Sequence, residues 1–286
     1  MECGPLLILK KNEVIQKKDQ ETFETKTVPI LSGGGSFPAF SAQSILVTDV
    51  VSEMVLYEKN PDGQVFPAST TKIITALVAL DYYPLDKVLT FGNIKVDGQK
   101  MNLLYGEKIR VQDILYGLLV YSANDAAEIL AQEYPGGRIK FIDAMNKKAM
   151  EMELSGSYFK NPTGLDEEGH FTTARDLTIS AKTAMRDDFL RTVVGTKEKE
   201  VRSTDGKIIH ELTNVNKLIG EVDGVLGVKT GWTEFARENL VTYIQKDGRT
   251  ISLVVLGSQD RFGETKELID WIFKNYNWKS VKLSGS

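Results

Sequence analysis

The chain has one cysteine, Cys3, and two histidines, His170 and His210, in 286 residues. A single thiol excludes an intramolecular disulfide, a thiolate metal cage and a Cys-x-x-Cys redox pair. Two imidazoles so far apart are too few for a usual zinc hydrolase, and a Ser-His-Asp triad would have to draw on one of them. His170 falls in a polar stretch that reads as a loop, and His210 fits an exposed β-hairpin, so both are expected at the surface. Positive charge is in slight deficit: 35 Lys and Arg against 39 Asp and Glu give a formal charge of -4. With no basic cluster, nucleic acid is not an expected partner. No window approaches the roughly 18 apolar residues of a membrane span, so no membrane anchor is visible. Met1–Lys10 is too short in apolar residues for a secretory signal. No metal or organic cofactor is expected.

What is present is an ordinary globular composition, 42% hydrophobic and 26% charged, on a chain long enough to bury a large core. Residues 11–30 are rich in Lys and Glu, and Ser32-Gly33-Gly34-Gly35-Ser36 reads as a flexible joint. Residues 1–38 are therefore expected to be a tail, 39–280 the folded domain, and 281–286 a short C-terminal tail. Ser44–Asp49 and Glu53–Glu58 read as a β-hairpin. The middle of the chain is helical: Val111, Ile114, Leu115, Leu118 and Leu119 keep a 3.6-residue period. Ala126–Ala131, Ile142–Met152 and Leu177–Met185 continue in that mode. Strands return at Val225–Lys229, Leu240–Ile244 and Ile251–Leu256, and a final helix carries Leu268, Ile269, Ile272 and Phe273. Such an order predicts an α/β (α+β) fold, one sheet built from both ends of the chain with a helical lobe inserted. The sheet lobe would span about 39–95 and 215–278, the helical lobe about 96–214.

The chemistry-bearing motifs begin with Ser69-Thr70-Thr71-Lys72, placed ahead of the apolar run Ile73, Ile74, Ala76, Leu77, Val78 and Leu80. A serine and a lysine three positions apart at a helix start share one face, so the amine can reach the hydroxyl. Serine needs a neighbouring base to become a nucleophile, and a lysine held out of water can be that base. Tyr121-Ser122-Ala123-Asn124-Asp125 follows at a helix junction, and Val228-Lys229-Thr230-Gly231 at the end of a strand-like run. Singly, each triplet is common. Ser122 and Asn124 would serve equally as turn and cap residues, and Lys-Thr-Gly as an ordinary strand end.

Ser-x-x-Lys, Ser-x-Asn and Lys-Thr-Gly in that order are the set found in penicillin-binding proteins and class A β-lactamases. On these motifs the chain resembles the serine D-alanyl-D-alanine carboxypeptidases, the low-molecular-mass penicillin-binding proteins, from about Gln43 to about Trp278. The resemblance also takes in Asn161–Asp166, Thr172–Leu177, Arg261-Phe262 and Leu268–Trp271. It implies an antiparallel sheet flanked by helices beside an all-helical lobe. It implies Ser69 as nucleophile, Lys72 as its base and Ser122 as proton relay. Asn124 would hold the substrate backbone, Lys229 and Thr230 a terminal carboxylate, and Gly231 would let a peptide lie along the strand edge. Backbone N–H groups of Ser69 and Trp232 would form the oxyanion hole, and Arg261 would assist with the carboxylate. Lys229 is expected to depress the Lys72 pKa, together with burial. Peptidoglycan stem peptides would be the substrates, β-lactams covalent inhibitors, and the outer side of the cytoplasmic membrane the place of action.

Three rivals use the same residues. A class A β-lactamase needs a Glu-x-x-Leu-Asn run for deacylation, and none stands between Ser122 and Lys229, where Glu167 and Glu168 lack the following Leu-Asn. A D,D-endopeptidase would differ only in pocket shape. A non-catalytic binding module is opposed by the intact motifs. Thr163 stands where many relatives have histidine, and Phe235–Asn239 where Ala-Gly and a small residue are usual. Arg237 in place of glycine is expected to strain the turn or narrow the cleft mouth, and Glu53 ends a hairpin turn where glycine is common.

Overall fold

The computed structural model describes residue 1, residues 24–34 and residues 36–283. Chain order runs β1 (Glu24–Leu31), β2 (Ser44–Asp49), β3 (Val55–Lys59), a 3₁₀ turn (Ala68–Thr71) and α1 (Lys72–Tyr82). Next come β4 (Val88–Thr90), β5 (Lys108–Arg110), α2 (Val111–Leu119), α3 (Asn124–Gln132), α4 (Gly137–Glu151), α5 (Ala174–Arg186) and α6 (Asp188–Val194). The chain closes with β6 (Glu198–Arg202), β7 (Ile209–Thr213), β8 (Val225–Thr233), β9 (Arg237–Lys246), β10 (Arg249–Ser258), α7 (Arg261–Asn275) and β11 (Tyr276–Leu283).

Five strands form one antiparallel sheet in the order β3-β2-β10-β9-β8, so the two chain ends do meet in one sheet. Period-two alternation sorts its side chains between two cores. Ile45, Val47, Leu253 and Val255 face α7, where Leu268, Ile269 and Ile272 cover them. Leu46, Val254, Leu256 and Val241 face the other way and join the large core of the helical lobe. At the centre of that lobe lies α1, buried from Lys72 through Ala79, as a helix apolar on nearly every face must be. It packs against α2, α3, α4 and α5. Among the described residues no helix is long and apolar enough to cross a membrane.

Several expectations are corrected here. The stretch expected to be a tail contains β1, which pairs antiparallel with β11 from Glu24↔Leu283 to Leu31↔Tyr276. Strand β11 likewise runs past residue 280, the expected end of the domain. Two N–H groups of the expected joint, Ser32 and Gly33, donate to the Asn275 carbonyl at 2.8 and 3.1 Å. Gly35, Cys3 and the remainder of residues 2–23 lie outside the described residues, as do 284–286. Both histidines are buried, not exposed. His210 sits in the β6–β7 hairpin, but its ring meets the Met101 carbonyl at 2.9 Å and Glu107 Oε1 at 2.8 Å. Nothing in its hairpin sequence signalled that the segment carrying Met101 and Glu107 would close over it. Helix α6 and the β4–β5 pair are too short to leave a periodic signal.

Arg237 and Glu53 do occupy left-handed backbone, at φ 58° and 62°. Glu53 gains an ion pair with Lys182, whereas exposed Arg237 gains none among the described residues. Left-handed backbone costs an L-residue about 1–2 kcal/mol, and glycine returns part of that as unfolded-state entropy. Arg237→Gly is therefore expected to raise stability by about 0.5–1 kcal/mol, seen as an upward shift of roughly 1–4 °C in the thermal midpoint. A lower midpoint would show that Arg237 is held by something other than its turn.

Candidate active site

The loops and strands above bring the three motifs to one cleft of about 600 Å³ between the free edge of β8 and the helical lobe. Ser69, Ser122, Asn124, Thr230, Gly231, Trp232 and Arg261 line it. Lys72 and Lys229 lie beneath its floor, 0% and 1% exposed. All nine sequence-predicted site residues are thus in one place.

Ser69 does not open an α-helix as expected but sits inside the 3₁₀ turn that feeds α1. Residues i and i+3 eclipse in a 3₁₀ turn, which stacks Ser69 over Lys72. Lys72 Nζ lies 2.9 Å from Ser69 Oγ, 2.7 Å from Asn124 Oδ1 and 2.7 Å from the Thr163 carbonyl. Three acceptors match the three N–H bonds of an ammonium. When the amine loses a proton it gains a lone pair, and only the Ser69 hydroxyl has a proton to offer in return. That asymmetry would suit Lys72 to act as a base toward one atom.

Burial drives the Lys72 pKa down to about 7, with Asp125 and Glu128 pulling it partly back. Lys229 is pushed well below the ordinary lysine range, first by burial, then by the positive charges of Lys72 and Arg261. Burial is the leading cause for both amines, and the repulsion between them is mutual, disfavouring the state in which Lys72 and Lys229 are charged together. Lys229 Nζ donates to Ser122 Oγ at 2.9 Å and to the Thr230 carbonyl at 3.1 Å. Here too the hydroxyl is the only partner able to give up a proton.

Ser122 stands at φ 63° in the turn between α2 and α3, a conformation that points its hydroxyl toward β8. Asn124 is the first residue of α3 and makes no cap; its amide bridges Lys72 and the Asp97 carbonyl at 2.7 Å each. The plain cap reading of Asn124 fails on that geometry. Asp125 binds the Met101 and Leu103 N–H groups at 3.0 Å each, holding the loop that carries Gly98 and Gln99 over the cleft. Arg261, half-buried at the start of α7, reaches the Gly231 carbonyl with Nη1 at 2.7 Å.

The loop from Asn161 to His170 was legible only as a family match, and its function is mostly carried by backbone. Pro162 O accepts from Thr75 Oγ1 at 2.7 Å, and Thr163 O accepts from Lys72. Gly164, at φ 89°, lies so close to the turn that a Cβ would overlap the Ala68 carbonyl. His170 Nε2 meets Thr71 Oγ1 at 3.0 Å, and burial lowers its pKa to about 4, so it stays neutral behind the nucleophile. Asp166 Oδ1 accepts from Thr233 Oγ1 at 2.7 Å, tying this loop to β8 across one end of the cleft. A carbonyl contributes the same atom whatever its side chain, so no residue pattern announces Thr163.

With the geometry in hand, a profile of the D-alanyl-D-alanine carboxypeptidase family, peptidase S11, matches residues 34–260. The chain belongs to that family. Among its relatives, the D-alanyl-D-alanine carboxypeptidase DacF of Bacillus subtilis is 34% identical over 249 residues, covering 83% of this chain and 64% of that protein. A D-alanyl-D-alanine endopeptidase of Pseudomonas aeruginosa is 35% identical over 237 residues, 80% of this chain and 76% of its own. The crystal structure of the Streptomyces K15 DD-transpeptidase superposes with a TM-score of 0.78 at 30% identity, covering 84% of this chain and all of that one. The chain therefore spans somewhat under two thirds of the Bacillus carboxypeptidase. In this S11 chain the fold, the three motifs and the buried lysine pair coincide.

A base with a pKa of about 7 implies a specific pH profile. Acylation of Ser69 by a serine-directed reagent is expected to rise with pH through about 7 and level off above it, as Lys72 becomes neutral. Stability follows the same sign. Lys72 in the unfolded chain titrates near 10.5, so from about 7 to 10.5 the unfolded state binds more protons and folding is favoured as pH climbs. A flat acylation rate between pH 6 and 8 would remove Lys72 from the role of base.

Proposed function

We propose that this chain is a serine D,D-carboxypeptidase that removes the terminal D-Ala from peptides ending in D-Ala-D-Ala. The observation that carries the reading is the buried Lys72 amine, 2.9 Å from Ser69 Oγ, beneath a cleft lined by Ser69 and Thr230. Neutral Lys72 takes the Ser69 proton as Oγ attacks the carbonyl carbon between the two D-Ala residues. Negative charge collects on the former carbonyl oxygen, where the N–H groups of Ser69 and Trp232 receive it. The C–N bond then breaks, and the leaving amine takes a proton passed through Ser122 from the lysine pair. D-Ala departs and an ester to Ser69 remains. Water, deprotonated by Lys72, cleaves that ester and restores the hydroxyl.

Specificity for a free C-terminus is supported by charge. Arg261, which lines the cleft together with Thr230, supplies a positive charge suited to a carboxylate. Free β8 edge groups offer backbone pairing to an extended peptide. Stem peptides of peptidoglycan carry these features, which puts the site of action in the cell envelope. The P. aeruginosa endopeptidase, at 35% identity, supports cross-link cleavage as a second reading with the same chemistry.

β-Lactams mimic the acylating step and are read as covalent inhibitors. Their persistence on Ser69 follows from the loop at residues 161–170. Glu167 accepts from Asn161 Nδ2 at 3.2 Å, and exposed Glu168 is not among the residues lining the cleft. Neither carboxylate is placed to drive fast hydrolysis of the ester.

Incubation of the protein with benzylpenicillin is expected to give a stable adduct by intact mass, absent in Ser69→Ala. Release of D-Ala from a D-Ala-D-Ala peptide should fall by about 10⁵- to 10⁶-fold in the same variant. Antibiotic consumed without an adduct would point to a β-lactamase, and an inert parent would point to a binding module. Cleavage of cross-linked dimers with no D-Ala release would favour the endopeptidase.

A further inference from the structure

Asn239 is wholly buried near the start of β9, and none of the steps above uses it. A polar amide at such a position must find partners, and Asn239 finds three. Its Nδ2 donates to the Phe66 and Pro67 carbonyls at 3.0 Å each, and its Oδ1 accepts from the Gly257 N–H at 2.8 Å. The last bond exists because the β9–β10 register slips between Val255 and Ser258, leaving Gly257 at φ 67° in a bulge opposite Asn239. One side chain thus fastens the segment just before Ser69 to two strands of the sheet.

Its neighbour across the ladder explains the contact. Gly231 and Asn239 are direct partners in the β8–β9 pair, so their side-chain positions share a face. A Cβ on Gly231 would lie 3.0 Å from Ala68 Cβ, 3.0 Å from Ser69 N and 3.1 Å from Pro67 O. Glycine in Lys-Thr-Gly is therefore needed beneath the nucleophile turn, a reason distinct from the substrate-edge role expected of it. The turn itself is under tension: Ala68 stands at φ 49°, a backbone region L-residues occupy at a cost. Such a conformation persists only when its surroundings hold it. Asn239, Thr70 Oγ1 (2.6 Å to Pro67 O) and the absent side chain of Gly231 are those surroundings.

We propose that Asn239 is a positioning residue for acylation: by clamping Phe66 and Pro67 onto β9 and β10, beside β8, it sets the separation of the Ser69 and Trp232 N–H groups that receive the oxyanion. The inference rests on the carboxypeptidase reading of the cleft. Asn239 is wholly buried and does not line the cleft, so its effect falls on the chemical step and spares initial binding.

The test is stopped-flow acylation by a fluorescent penicillin, giving the non-covalent Kd and the first-order acylation rate. Both are normalised to the fraction of protein that intact mass shows can be acylated. Asn239→Asp keeps the shape and reverses the donor, Asn239→Ala removes it, and Gly231→Ala presses on the same turn from the other side. A displacement of a few tenths of an ångström to 1 Å in a preorganised site costs up to about 100-fold. The acylation rate of all three variants is expected to fall roughly 30- to 100-fold, with Kd changed less than about threefold in the two Asn239 variants. A variant whose acylatable fraction drops while the remaining molecules react at the parent rate would overturn the proposal, as would failure of every Asn239 variant to fold. Either result assigns Asn239 to stability alone. A parent that never acylates would overturn the functional reading and the proposal with it, a result recognised before any variant is made.

Discussion

A lysine amine sealed from water beside a serine hydroxyl is the constraint around which the rest of this molecule is arranged. Removing an ammonium from water costs several kcal/mol even after relaxation, so the site must either satisfy its protons or let one go. Lys72 does both. Asn124, the Thr163 carbonyl and Ser69 take up its three N–H directions, and burial leaves it able to release a proton near neutrality. Each of those partners comes from a different part of the fold, so the lysine can be satisfied only when α1, α3 and the 161–170 loop are all in place.

The second lysine follows from the first. Lys229 is buried within the field of Lys72 and Arg261, and its pKa is depressed further for that reason. Two neighbouring amines that resist being charged together suit a cycle in which one proton is taken from Ser69 and later handed to a leaving group. Ser122 lies against Lys229 on the cleft wall, and its left-handed backbone is the local strain that this placement requires.

Architecture serves these contacts economically. Strand β8 is the sheet edge left open toward the cleft, and it delivers Lys229 inward and Trp232 outward within four residues. The 3₁₀ turn rests on that strand through Gly231, and α1 carries Lys72 straight into the largest core. Pinning the turn to the sheet and the lysine to the helical lobe makes the distance between Ser69 Oγ and Lys72 Nζ a property of the whole domain.

Much of this was legible before any coordinates. The apolar periods located the central helices and the strands at both ends, because burial on one face leaves a repeat that survives in the linear order. The motifs named Ser69, Lys72, Ser122, Asn124 and Lys229, because nucleophile activation demands particular side chains at short spacings. Contacts made by groups that leave no residue signature were not legible. The Thr163 carbonyl belongs to any residue, the buried places of His170 and His210 come from loops closing over them from afar, and the β1 pairing is with a strand more than 240 residues away. Asn239 and Gly231 were visible as letters, but their common task appears only when β8 lies beside β9 with the nucleophile turn on top. Sequence alone determined which chemistry is possible, since reactivity resides in side-chain type. The tertiary structure decided which atoms are dry, which are paired and how far apart they stand, since desolvation and distance arise only when segments remote in the chain are packed together.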